Sequence, residues 1–126
     1  MIEKVVVKRE ALSLFLEMCT DIYPHENIMI IQGKIKGGIA NIREFLIPPF
    51  STYGEGFSGF PTFMIPFDLS YIGTAHSHPS GNPSPSTGDL NNFFGRVMMI
   101  AGYPYTENMV RVYNSKGETL RLEIEP

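Results

Sequence analysis

His76-Ser77-His78 and Ser86-Thr87-Gly88-Asp89, joined by a loop of Pro, Ser, Gly and Asn, constrain this chain more than any other stretch. The segment Tyr71 to Ala75 before them reads as a short strand, bounded by Pro66 upstream and Pro79 downstream. Successive side chains of a strand point to opposite faces, so His76 and His78 share one face and Ser77 points away. The loop has ample reach to fold Asp89 back onto that face, since extended chain spans about 3.3 Å per residue. Two imidazoles and one carboxylate are a common three-ligand shell for a catalytic zinc, which keeps its fourth position for water.

Each piece also has an ordinary reading. A single His-x-His on a strand is by itself a weak sign of metal. Ser86-x-x-Asp89 is a helix-start signature, with Ser86 as N-cap and Asp89 in the first turn. The apolar run Phe93-Phe94, then Val97 to Ile100, follows soon after. The two readings are compatible, because a serine that caps the helix fixes the loop while the acidic residue beside it turns toward the metal.

The order H-S-H-P, with seven residues counted from the second histidine and then S-x-x-D, resembles the signature of the JAMM (MPN+) family of zinc isopeptidases. The resemblance covers nearly the whole chain, from the first helix to the terminal strands. It implies His76, His78 and Asp89 as ligands of one Zn2+ per chain. It also implies a glutamate at the start of an early strand, after the first helix, in a P-x-E context. Tyr23-Pro24-His25-Glu26, followed by Asn27 to Gly33, fits that context and makes Glu26 the general base. Ser86 is then placed to donate to the developing oxyanion. Zinc would lower the pKa of its water to about 7, within reach of a neighbouring carboxylate at neutral pH.

Other candidates for the base have simpler accounts. Glu10 and Glu17 belong to an amphipathic helix, Glu44 alternates with apolar residues in a strand, and Glu55 sits in a glycine-rich loop. His25 points away from Glu26 in an extended segment. The chain contains no H-E-x-x-H helix motif.

By the resemblance, the chain is a small stand-alone member of prokaryotic type. Its expected activity is hydrolysis of the peptide or isopeptide bond after the C-terminal tail of a ubiquitin-like or sulfur-carrier modifier. That modifier or its conjugate is the expected partner. The loop from Pro79 to Pro85 also resembles the RadC branch of the superfamily, so a DNA-associated role is one alternative. A non-catalytic scaffold is another, although its expected mark, a broken motif, is missing. Cytidine-deaminase chemistry needs more cysteines than the one present, Cys19.

Composition narrows the setting. A chain of 126 residues is one ordinary domain, 1–126, with enough length for a core. A hydrophobic fraction of 43% argues against disorder. Net charge of −3 with scattered basic residues disfavours a nucleic-acid binder. Cys19 falls in the apolar series Leu12, Phe15, Leu16, Cys19 and reads as a buried thiol. No long apolar run and no signal-peptide pattern appear, so a cytoplasmic location without membrane contact is expected. Homo-oligomerisation is left open.

The element pattern is mixed α/β (α+β). Val5 to Val7 begin a strand, and about Arg9 to Ile22 form an amphipathic helix that Pro24 stops. Ile28 to Ile35 and Ile39 to Ile47 read as strands joined through Gly37-Gly38. Val97 to Ala101, Met109 to Tyr113 and Thr119 to Ile124 read as strands, the last two joined through Ser115-Lys116-Gly117. This order implies a curved, mostly antiparallel or mixed sheet flanked by helices, as in the MPN/JAMM (cytidine-deaminase-like) architecture. Residues 48 to 66 carry Tyr53, Phe57, Phe60 and Phe63 among glycines, and either grip a substrate tail, dimerise or pack on a core edge.

Overall fold

Three consecutive β-branched residues, Val5, Val6 and Val7, make the first strand, β1 (Lys4–Lys8), and all three are buried. Helix α1 (Arg9–Ile22) follows directly. Its buried residues, Leu12, Phe15, Leu16 and Cys19, fall at three- and four-residue spacing and so line one stripe. Pro24 disfavours helical geometry at the residue before it, and Tyr23 accordingly leaves the helix at φ −54° and ψ 134°. The structure is a computed structural model that describes residues 1–48, 52–54, 57–59 and 68–126.

Strands β2 (Ile28–Lys36) and β3 (Ile39–Leu46) form a hairpin across Gly37 and Gly38. Both glycines have positive φ, +60° and +79°, which a two-residue hairpin turn of the right twist requires. Two three-residue strands, β4 (Thr52–Gly54) and β5 (Phe57–Gly59), pair antiparallel with each other. The side chains of Tyr53 and Phe57, with Phe60, Phe63 and Pro66, lie outside what the structure describes, and so do Glu55 and the suggested grip.

Strand β6 (Tyr71–His78) pairs antiparallel with β2 and parallel with β7 (Val97–Gly102). The close approach of β6 to β7 needs glycine at position 73, where a Cβ would sit 1.8 Å from the Val97 carbonyl oxygen. A 3-10 turn (Glu107–Met109) takes the residue expected to open the next strand, and β8 (Val110–Tyr113) begins one position later. Strand β9 (Thr119–Glu125) then returns antiparallel to β8, across a turn in which Gly117 has φ +80°.

The expected curved sheet goes further and closes into a barrel, in the order β1-β3-β2-β6-β7-β8-β9. Strand β1 pairs in parallel with both β3 and β9, which removes the free edges at either end. Helix α1 packs its apolar stripe against a sheet face carrying Val5, Val7, Met29, Ile31, Ala75 and Met99. Phe15 stacks on Phe45 with ring centroids 4.9 Å apart. The opposite face of β7 holds a smaller apolar cluster of Met98 and Ile100 with Tyr113, covered by Phe93. Helix α2 (Thr87–Asn91) starts at Ser86 as expected but is a single short helix with no buried residues. Phe93 leaves it to join the cluster on β7. Among the described residues no helix is long and apolar enough to cross a membrane.

Candidate metal centre

The register of β6 sets the site. His76 lies opposite Ile28 of β2 and Ile100 of β7, so its ring emerges on the face away from α1, with His78 two residues on. Ser77 points the other way and is fully buried. The Thr74 hydroxyl, on the histidine face, lies 3.0 Å from His76 Nε2 and fixes that ring. His78 Nδ1 donates to the carbonyl oxygen of Asn82 at 2.8 Å, because a carbonyl can only accept. That bond leaves Nε2 as the nitrogen facing the site, the arrangement that orients a metal-binding imidazole.

The loop after β6 is held by its own contacts. The Gly81 N–H donates to the His78 carbonyl at 3.1 Å, and the Tyr113 hydroxyl donates to the Pro83 carbonyl at 2.8 Å. It ends in a capping box. The Ser86 N–H donates to Asp89 Oδ2 at 2.8 Å, and the Asp89 N–H donates to Ser86 Oγ at 3.0 Å. The Asp89 carboxylate then spans both imidazoles, with Oδ1 3.5 Å from His76 Nδ1 and Oδ2 3.2 Å from His78 Nε2.

Glu26 arrives from the other neighbour. Continuing the antiparallel register of β2 and β6 past Ile28 sets Asn27 against Ser77 and Glu26 against His78. Glu26, His76 and His78 each place one ligand atom within 4.8 Å of the others. Glu10, Glu17 and Glu44 are exposed, and His25 is exposed beside Glu26.

The electrostatics separate the two carboxyl groups. Burial pushes Glu26 up to about 7; the charge on His78 opposes this and that on Asp89 adds to it. Burial also acts on Asp89, yet its hydrogen bonds with His78 and the Ser86 N–H, together with the imidazole charges, hold it below the usual carboxylate range. Burial takes His76 down to about 4, against the pull of Asp89. His78 is also partly buried, but its bonds to Asp89 and the Asn82 carbonyl outweigh that and raise it.

The five residues expected at the metal site therefore meet at one place. Glu26, His76, His78 and Asp89 converge, and Ser86 sits at the rim with its hydroxyl accepting from Asp89. Two imidazoles with carboxylates, backed by hydrogen bonds to the outer ring nitrogens, are a donor set that fits one zinc ion. Sequence reasoning missed Thr74 and the Asn82 carbonyl. A threonine two residues before the first histidine was a usable signal, whereas the carbonyl contact depends on the loop's path and left none.

A family model described as prokaryotic homologs of the JAB domain matches residues 8–115. A Haloferax volcanii protein described as a probable metalloprotease is 28% identical over 129 residues, covering 97% of this chain and 80% of its own length. Among solved structures, that of JAMM, a metalloprotease-like zinc site in the proteasome and signalosome, aligns at a TM-score of 0.70 and 29% identity, covering 100% of both chains. A JAB1/MPN domain protein from Archaeoglobus fulgidus aligns at 0.69 and 30% identity, covering 98% of this chain and 99% of its own. A Desulfitobacterium hafniense protein, 12% identical with a TM-score of 0.62, shares the fold alone.

Proposed function

The chain belongs to the prokaryotic JAB-domain family, and from that premise we propose that it is a zinc metalloprotease with the function of an isopeptidase. The expected substrate is the peptide or isopeptide bond after the C-terminal tail of a ubiquitin-like or sulfur-carrier modifier protein. The observation that carries the reading is the convergence of Glu26 and Asp89 on the His76–His78 pair from two different elements.

The two carboxyl groups divide the work by their environments. Asp89, held ionised between two imidazoles, is the third ligand alongside His76 and His78. A zinc ion held there would supply a Lewis acid and bring the pKa of a bound water to about 7. Glu26, with its pKa raised to about 7, is matched to accept a proton from the attacking water and return it to the leaving amine. Ser86 is exposed at the rim, and its oxygen accepts from the Asp89 N–H. Its own hydroxyl hydrogen is therefore free to donate to the oxyanion that develops on the substrate carbonyl. The donor set is complete, which disfavours a scaffold role, and the net charge of −3 disfavours a role on DNA.

The test is metal content of the purified protein together with cleavage of linear and lysine-linked ubiquitin-like fusions. Zinc near one per chain, with cleavage lost to chelator and in Glu26→Ala, is the expected result. Protein that holds no zinc would overturn the reading, and zinc without cleavage of any fusion would overturn the substrate class.

A further inference from the structure

Ser77 takes no part in the chemistry above, yet it is the most enclosed polar residue near it, at 0% exposure. It faces α1, away from the histidines, where its hydroxyl also interacts with the side chains of Cys19 and Tyr105, and it engages Asn27 twice. Its N–H donates to the Asn27 carbonyl at 2.9 Å, and its Oγ accepts from the Asn27 N–H at 2.7 Å. In a regular antiparallel ladder the backbone carbonyl would accept from that N–H. Here a side chain replaces it, one residue beyond the end of β2. Asn27 is itself 2% exposed, and its amide nitrogen points to Cys19 Sγ of α1 at 3.8 Å. The residue directly after Glu26 is thus tied to β6 at two points and to α1 at a third.

We propose that Ser77 is a positioning residue, whose hydroxyl clamps Asn27 so that the carboxylate of Glu26 is held across from His78. This rests on the reading of Glu26 as the base. With Asn27 fixed, Glu26 is left only its own backbone and side-chain rotations, so its reach to the histidine pair is set before substrate arrives. An alanine at position 77 keeps the backbone bond but strips the buried Asn27 N–H of its acceptor, and a replacement, from water or from the residue-77 carbonyl, requires the strand end to move. The strand end then shifts or opens, and Glu26 moves with it. Small displacements of a catalytic group are costly, since near-attack geometry must be held closely.

The experiment compares Ser77→Ala with the unaltered protein in three measurements: amide hydrogen exchange at Asn27, zinc content, and steady-state kinetics on the same fusions. Asn27 exchange should speed up about tenfold or more, while that of Met99 and Ile100 in β7 is unchanged. Zinc content and KM should match the unaltered protein, and kcat should fall about tenfold or more. Ser77→Cys, which keeps the volume but offers a weak acceptor, carries the same expectations should the alanine variant not fold. Unchanged Asn27 exchange overturns the clamp, and so does faster exchange with unchanged kcat. Exchange needs neither zinc nor substrate. If the unaltered protein cleaves nothing, the function reading falls while the clamp itself is still decided by Asn27.

Discussion

Ser86 and Asp89 hold each other: the serine N–H donates to the aspartate side chain at 2.8 Å, and the aspartate N–H donates to the serine hydroxyl at 3.0 Å. The same carboxylate reaches both imidazoles, so the device that starts a short helix also aims a ligand. Ser86→Ala removes half of it. Chemical denaturation should show a loss of about 1 kcal/mol, the usual cost of an N-cap. Zinc affinity, measured by competition with a chelator of known strength, should weaken by about tenfold or more, as for other partners of metal ligands.

Glu26→Gln keeps the shape of the side chain and removes its basicity. The variant should retain zinc at the unaltered level and lose about 10²-fold or more in kcat, the scale of a general base. Equal activity in the two proteins would assign the base elsewhere.

The ligands behave differently from the base. His78→Ala or Asp89→Ala should give protein with little or no zinc by elemental analysis, while circular dichroism retains the folded signature. A chelator should abolish cleavage by the unaltered protein, and added zinc should restore it to that protein alone.

The metal-free protein should show opposing titrations. Burial raises Glu26 from 4.5 to about 7, so the folded chain holds that proton more tightly than the unfolded one. Its contribution to stability is full below pH 4.5 and is lost as the pH climbs through 7. Burial depresses His76 from 6.5 to about 4, so its contribution is present above 6.5 and is lost as the pH falls through 4. The two cancel in part across the overlap. Glu26→Gln removes the glutamate trend, and its Tm should therefore gain on the unaltered protein's as the pH rises from 4.5 to 7. Parallel Tm profiles for the two proteins would refute the assignment.

Gly73→Ala tests the pairing that carries the histidines. The added Cβ would stand 1.8 Å from the Val97 carbonyl oxygen, a contact with backbone that cannot swing aside. Overpacking of this kind should cost about 3 kcal/mol or more, or prevent folding, by thermal denaturation.

Much of the fold could be read along the chain. The α1 stripe of Leu12, Phe15, Leu16 and Cys19, the Gly37-Gly38 hairpin and the strand into His76 all appear where periodicity and turn chemistry put them. These depend on neighbours a few residues apart, whose spacing the sequence displays. The length of α2 was not legible, because Phe93 gains more by packing on Met98, Ile100 and Tyr113 than by continuing a helix with no buried face. Closure of the barrel was hidden too, since the parallel contact of β1 with β9 joins opposite ends of the chain and leaves no local pattern.

For the site, sequence alone determined the donor types and the shared face of the two histidines, because a strand's two-residue alternation follows from backbone geometry. Only tertiary structure decided that Glu26, just ahead of the strand β2, and Asp89, from a capped helix beyond a loop, arrive at that face. It also decided which carboxyl is ionised and which is poised near 7, because burial and facing charges set a pKa, and neither exists until distant segments meet.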